Sequence, residues 1–141
     1  MRLILMFGVL LGLSGFGAVR PVAAQNKPDL LVQASNEGWL ALVDAAKYDE
    51  SWDAASAPVK AAVTKEQWTR TMAASRSPLG KVVTRVVASS TYTRTLPGVP
   101  DGEYVVTLYT TRFEHKQSAE ESIISVLEKD GEWRVAGYYF K

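Results

Sequence analysis

Asp44 is the first side chain to weigh as a chemical group. It stands beside Val43 and Ala45 in an apolar helical pattern. A carboxyl buried there would have a raised pKa and could act as a general base. Helical periodicity turns it away from Leu42 and Ala46, so it is expected at the surface. Asp49, Glu50 and Asp53 cluster around Tyr48 and Trp52. Asp49 and Asp53 share a face if a helix begins that early, but acids near a helix start are explained by the helix dipole. His115 is the only histidine and there is no cysteine. No thiol nucleophile, disulfide or His-rich metal centre follows from such a composition. His115 falls beside Lys116 in an expected turn, and no Gly-x-Ser-x-Gly elbow accompanies it, so a serine triad is not expected. The glycines sit at turns, without a phosphate-cradling loop. The reading is therefore of a protein with no catalytic residue, no metal and no cofactor.

A binding surface is the better candidate. Val83, Arg85 and Val87 alternate on one face of an expected strand, against Val82, Thr84 and Val86 on the other. With Val82, Thr84 and Val86 turned to the helices, Arg85 becomes a single cation among apolar walls. That is a seat for an amphipathic anion, a partner protein or a second copy of this chain, as a homodimer. The competing reading has Arg85 snorkelling to solvent or pairing with an acid on a neighbouring strand. Charge is unevenly spread. Residues 60–94 carry seven basic groups and one acid, and residues 101–132 carry eight acids and three bases. Two such segments lying side by side would neutralise each other. Aromatics are not interleaved with the basic run, so nucleic acid is not expected as a partner. Trp39, Trp52, Trp68 and Trp133 are spread one to an element, as a small core uses its large aromatics.

The elements that position these residues divide into two halves. Asp29 reads as the cap of a helix over 30–46 with Trp39, Leu42, Val43 and Ala46 on one side. A short helix is expected over 50–57, ended by Pro58. Thr64 and Gln67 form a capping box for a third helix reaching Ser75, and Ser77-Pro78-Leu79-Gly80 stops it. Strands follow over 81–96, with a bulge or curl near Ser89-Ser90, and over 104–113. A loop spans 97–102 and a turn falls near His115-Lys116-Gln117. Asp130-Gly131 reads as a two-residue hairpin turn. It joins 123–127 to 133–140, placing Val126 opposite Val135 and Ile124 opposite Gly137. Gly137 leaves room for a large side chain over it, or for a bend. Helices followed by a four-stranded meander give an α+β fold, with N-terminal helices packed on a curled four-stranded antiparallel sheet.

Before this domain come Arg2, an apolar stretch from Leu3 to Val19, and Val22-Ala23-Ala24. That pattern reads as an export signal over 1–24, cleaved before Gln25, leaving one domain over 25–141 in the periplasm or outside the cell. The stretch is short and glycine-broken for a membrane span. Its removal takes away Arg2 and Arg20 and turns the net charge from +1 to −1.

Four stretches carry a resemblance: "WLALVDAAKYDESWDAAS", "VTKEQW", "LPGVPDGEYVV" and "DGEWRVAGYYFK". In that order they resemble the bacterial exported family known as domain of unknown function 4019, from about Trp39 to the C-terminus. The resemblance implies a small exported protein without an assigned activity. The layout is more weakly similar to the nuclear transport factor 2-like or cystatin-like cone. The final "DGEWRVAGYYF" is similar to the last strand of the nuclear transport factor 2-like superfamily. The function expected is that of an exported, non-catalytic domain binding a small ligand or an envelope protein. Two alternatives stand beside it. One is a cone-fold enzyme of the ketosteroid-isomerase type with Asp44 as base. The other is an interaction or inhibitor domain acting through the 97–102 loop or a sheet edge.

Overall fold

In the computed structural model, which describes residues 27–141, four α-helices precede four strands. The expected export signal lies outside the described residues. The helices are α1 (Lys27–Asp44), α2 (Tyr48–Asp53), α3 (Ala57–Ala62) and α4 (Lys65–Arg76), followed by a 3-10 turn at Ser77–Leu79. The strands are β1 (Val82–Thr93), β2 (Tyr104–Phe113), β3 (Lys116–Leu127) and β4 (Trp133–Phe140). They form one antiparallel sheet in the order β1-β2-β3-β4. The fold is thus the expected α+β arrangement of N-terminal helices and a curled four-stranded meander. Leu31–Lys141 makes up one compact unit. Among the described residues no helix is long and apolar enough to cross a membrane.

Local chemistry sets the helix ends. Thr64 accepts from Gln67 N while the Gln67 side chain accepts from Thr64 N, closing the expected capping box. Asp29 falls within the first turn of α1 rather than before it, where its charge favours the helix dipole. Pro58 does not end a helix. It occupies the first turn of α3, a position that needs no intrahelical N–H and suits proline's fixed φ. The single short helix expected over 50–57 is therefore two, with Ser56 between them.

Helix α1 ends in a Schellman motif. Lys47 N donates to Leu42 O at 2.8 Å and Ala46 N to Val43 O at 3.0 Å. Ala46 takes φ 61°, the only positive φ outside glycine among the described residues. An L-residue in that conformation costs about 1–2 kcal/mol, and glycine gives back about half through its freer unfolded chain. Ala46→Gly is therefore expected to raise Tm by about 2–4 °C at this chain length. A lower Tm in calorimetry would contradict the strain.

One face of the sheet builds the core with the helices. Trp39, Leu40, Val43, Tyr48, Met72, Tyr109, Ile123 and Val135 form the main cluster. Val32, Val105 and Trp133 form a second. Fully burying one such side chain contributes about 1.5–3 kcal/mol. Three polar residues inside bond one another. Ser125 Oγ donates to Asn36 Oδ1 at 2.7 Å, and Asn36 Nδ2 donates to Thr107 Oγ1 at 3.2 Å.

Bulges reset which residues share a face. On β1, register shifts leave Val83 and Ala88 without partners on β2. The second lies one residue before the expected bend at Ser89-Ser90. On β4 a shift leaves Ala136 unpaired. Ile124 pairs with Gly137 as expected, but Val126 pairs with Arg134 rather than Val135. The cause is the hairpin turn. Gly131 N donates to Glu128 O, Glu128 N donates to Glu132 O, and only Gly131 has positive φ, at 85°. This is a three-residue loop with glycine in the left-handed position, not a two-residue turn on Asp130-Gly131. One more loop residue slides the register by one, so Trp133 and Val135 face inward with Leu127 and Ser125. The Tyr139 ring lies over Gly137, with its Cε2 3.1 Å from where a Cβ would stand.

Candidate functional site

Four elements bring charged groups together under the helices. Asp44 is the last residue of α1 and Arg76 the last of α4. Arg85 comes from β1, opposite Thr111, and Glu121 from β3, opposite Tyr109. Alternation puts Glu121 on the core face with Ile123 and Ser125, and it is fully buried. Arg85 Nε donates to Glu121 Oε1 at 2.7 Å and Arg85 Nη2 to Glu121 Oε2 at 3.0 Å. The same guanidinium reaches Asp44, from Nη1 to Oδ2 at 2.7 Å and from Nη2 to Oδ1 at 3.0 Å. Arg76 Nη2 adds a bond to Asp44 Oδ1 at 2.8 Å. The hydroxyls of Thr111 and Tyr138 both donate to Glu121. Two cations and two anions give a neutral cluster.

Burial works against the Arg85 charge, yet its bonds to Asp44 and Glu121 raise its pKa above the ordinary value. Burial first, then the charge of Glu121, raises the Tyr138 pKa, which keeps its hydroxyl a donor. Arg76 is buried with its guanidinium carbon 4.6 Å from the centre of the Phe113 ring. Among the described residues its Nε and Nη1 have no hydrogen-bond partner; the ring face answers part of that charge.

This geometry revises the expectations for Arg85. Its side chain turns toward the helices, because it bonds Asp44 of α1. Val86, expected to face the helices, is 60% exposed. The bulge at Val83 is the reason. It takes Val83 out of alternation with Arg85 and Val87, and leaves Val82 on the Arg85 face. Arg85 and Val87 do line a cleft of about 230 Å³ with Glu37, Leu40, Asp44 and Tyr109, but Val83 does not. The cleft mouth carries two carboxylates against one guanidinium already held by Asp44 and Glu121. An anion bound there would compete with Asp44 and Glu121 for the Arg85 guanidinium.

Asp44 lies at the surface as expected, but it is not free. Both its oxygens accept from guanidinium groups, which leaves it badly placed to take a proton from a substrate. Asp53 pairs with Lys65 at 2.7 Å rather than with Asp49. His115 is exposed in its turn. The basic 60–94 and acidic 101–132 segments meet directly at Arg85 and Glu121.

A second concavity has a different chemistry. Helix α3 turns Pro58, Val59 and Ala62 into a groove of about 430 Å³, and Val63 follows at its end. Helix α4 adds Gln67, Trp68 and Thr71, and β4 adds Ala136, Gly137, Tyr138 and Tyr139. Val99 reaches it from the 97–102 loop. That loop is tied down where Tyr104 OH donates to Pro100 O at 2.6 Å and Gly102 N to Arg94 O at 3.1 Å. Gly98 turns it at φ 82°. Among the described residues no charged side chain lines the groove. Trp68 itself is fixed, its Nε1 donating to Ser51 Oγ at 3.0 Å.

Sequence reading missed this groove because it missed α3, whose apolar face supplies a whole wall. The spacing of Val59, Ala62 and Val63 after Ser56 and Pro58 was the available signal. It missed Glu121 by starting the third strand at Ile123. Extending the alternation back through Ser125 and Ile123 reaches Glu121 directly.

A protein-family model described as "Protein of unknown function (DUF4019)" matches residues 35–138, which takes in the ion cluster and all of the groove but Tyr139. No curated protein and no solved structure matches the chain.

Proposed function

From the premise that this chain belongs to the DUF4019 family, whose description carries no activity, we propose that it is an exported, non-catalytic binding domain whose ligand seat is the groove between α3, α4 and β4. The observation that carries the reading is the groove's lining, mainly apolar and aromatic side chains with Gln67 and Thr71 and, among the described residues, no charge. An apolar concavity of this size is the ordinary setting for a bound ligand or partner segment. The ion cluster supports the non-catalytic part, since its acids and cations answer one another. The cleft at Arg85 and Val87 is the lesser seat for the same reason.

An environment-sensitive apolar dye tests the seat. It should bind saturably, one per chain, and Ala62→Glu should weaken it at least tenfold. Ala62 is exposed on α3, so the substitution leaves the core intact. Dye binding that ignores Ala62→Glu would place the seat elsewhere.

Export rests on the apolar stretch from Leu3 to Val19 and on Val22-x-Ala24. The protein recovered from the cell envelope should have an intact mass beginning at Gln25. A membrane-bound species that still begins at Met1 would overturn cleavage.

A further inference from the structure

The groove runs along the open edge of β4, and we infer that its occupant is an extended, uncharged polypeptide segment that adds to β4 as a fifth strand. This rests on the groove being the seat. The first support is the parity of the β3–β4 ladder. Glu120 and Lys141 exchange N–H···O bonds in both directions, so Lys141 points its backbone groups toward β3. Alternation then points Tyr138 and Phe140 away from β3. The bulge at Ala136 restores the same outward direction to Val135, whose carbonyl accepts from Ser56 N at 2.9 Å. Ser56, the residue before helix α3, thus closes the edge at Val135. Among the described residues nothing closes it at Tyr138 and Phe140.

The second support is the contrast between the two edges of the sheet. Exposed strand edges are commonly blunted by charges, prolines or bulges. Strand β1 has two bulges and carries Arg85. Strand β4 from Val135 to Phe140 has neither charge nor proline. Its one bulge lies upstream of the open residues.

The chemistry of the groove selects the occupant. A charged segment would lose its hydration there without a partner, so the segment is uncharged. An acyl chain fills the apolar space but answers none of the edge N–H and C=O groups. A helix satisfies its own backbone. An extended segment answers both, pairing with Tyr138 and Phe140 and sending alternate side chains toward Val59, Val63 and Trp68.

Four reagents test it against the dye-loaded protein. They are a capped Val-Thr-Val-Thr-Val-Thr peptide on a polyethylene-glycol tail, the same peptide N-methylated at alternate residues, lauric acid, and the variant Phe140→Pro. Proline at 140 removes an outward N–H and leaves the pairing with β3 in place. The plain peptide should displace the dye and raise the hydrogen-exchange protection of the Tyr138 and Phe140 amides. N-methylation should weaken displacement at least tenfold, and Phe140→Pro should abolish it while the dye still binds. Equal displacement by the plain and N-methylated peptides, or displacement by lauric acid alone, overturns the strand and leaves the groove standing. Absence of dye binding overturns the groove itself. A dimer in sedimentation, with those two amides already protected before peptide is added, assigns the edge to a second copy of this chain and overturns the peptide as occupant.

Discussion

Glu121→Gln should lower the stability of this protein by about 3–5 kcal/mol, the cost of breaking a buried ion pair from one side. At about 4 °C per kcal/mol for a domain of this length, the loss in Tm is about 12–20 °C. The Glu121 carboxylate is completely buried. Two guanidinium bonds and the hydroxyls of Thr111 and Tyr138 converge on it. Glutamine keeps the shape but turns one acceptor into a donor, which meets the Arg85 donors head on. It also leaves Arg85 with one carboxylate in place of two. Asp44→Asn should cost less, because Asp44 keeps 30% side-chain exposure and Arg85 retains Glu121. Replacing Glu121 and Arg85 together by leucine should recover part of the single-variant loss, since both charges then leave the interior. A double variant that loses the full sum of the two singles would show that the two groups are not coupled.

Trp39→Ala is the second large effect, at about 3–5 kcal/mol for truncating a core aromatic. Trp39 is 3% exposed at the centre of the main cluster. Its ring meets Trp68 at 6.2 Å and Tyr138 at 5.2 Å, both edge-on. Its Nε1 donates to Ser51 O at 2.9 Å, so truncation also leaves a buried carbonyl without its donor. Trp39→Phe isolates that bond. It keeps most of the ring packing and should cost about 1–3 kcal/mol, the penalty of an unsatisfied buried group. Chemical denaturation of the three proteins orders them wild type, Phe, Ala. An alanine variant within 1 kcal/mol of wild type would remove Trp39 from the core.

The two effects bear on the binding reading through one residue. Tyr138 donates to Glu121, packs on Trp39 and lines the groove. The cluster and the aromatic core thereby hold one wall of the groove. Both destabilised variants should show weaker dye binding at temperatures where they remain folded, with Trp39→Ala the more affected.

Much of the architecture was readable residue by residue. The capping box at Thr64 and Gln67, the break at Gly80 and the strand from Tyr104 to Phe113 are set by near neighbours in sequence. Helices before a meander follow from the order of the two periodicities. Propensity was weaker where one residue type serves two purposes. Pro58 both ends helices and starts them, and it was read the wrong way. Asp130-Gly131 fits two hairpin loops, and the longer one won, sliding Val126 from Val135 to Arg134.

The sequence by itself determined the fold class, because alternation of period 2 and of period 3.6 is a local property that burial must respect. It also determined which chemistries lack their residues, since composition counts atoms wherever they lie. Only the tertiary structure decided which face of β1 turns inward. A one-residue bulge at Val83 moves Thr84 to Val87 to the other face until the second bulge, at Ala88, moves the strand back, and no local preference fixes where a strand bulges. Only the tertiary structure brought Asp44, Arg76, Arg85 and Glu121 together. They come from four elements, and their attraction acts over a few ångströms that exist only once helices α1 and α4 have docked on the sheet.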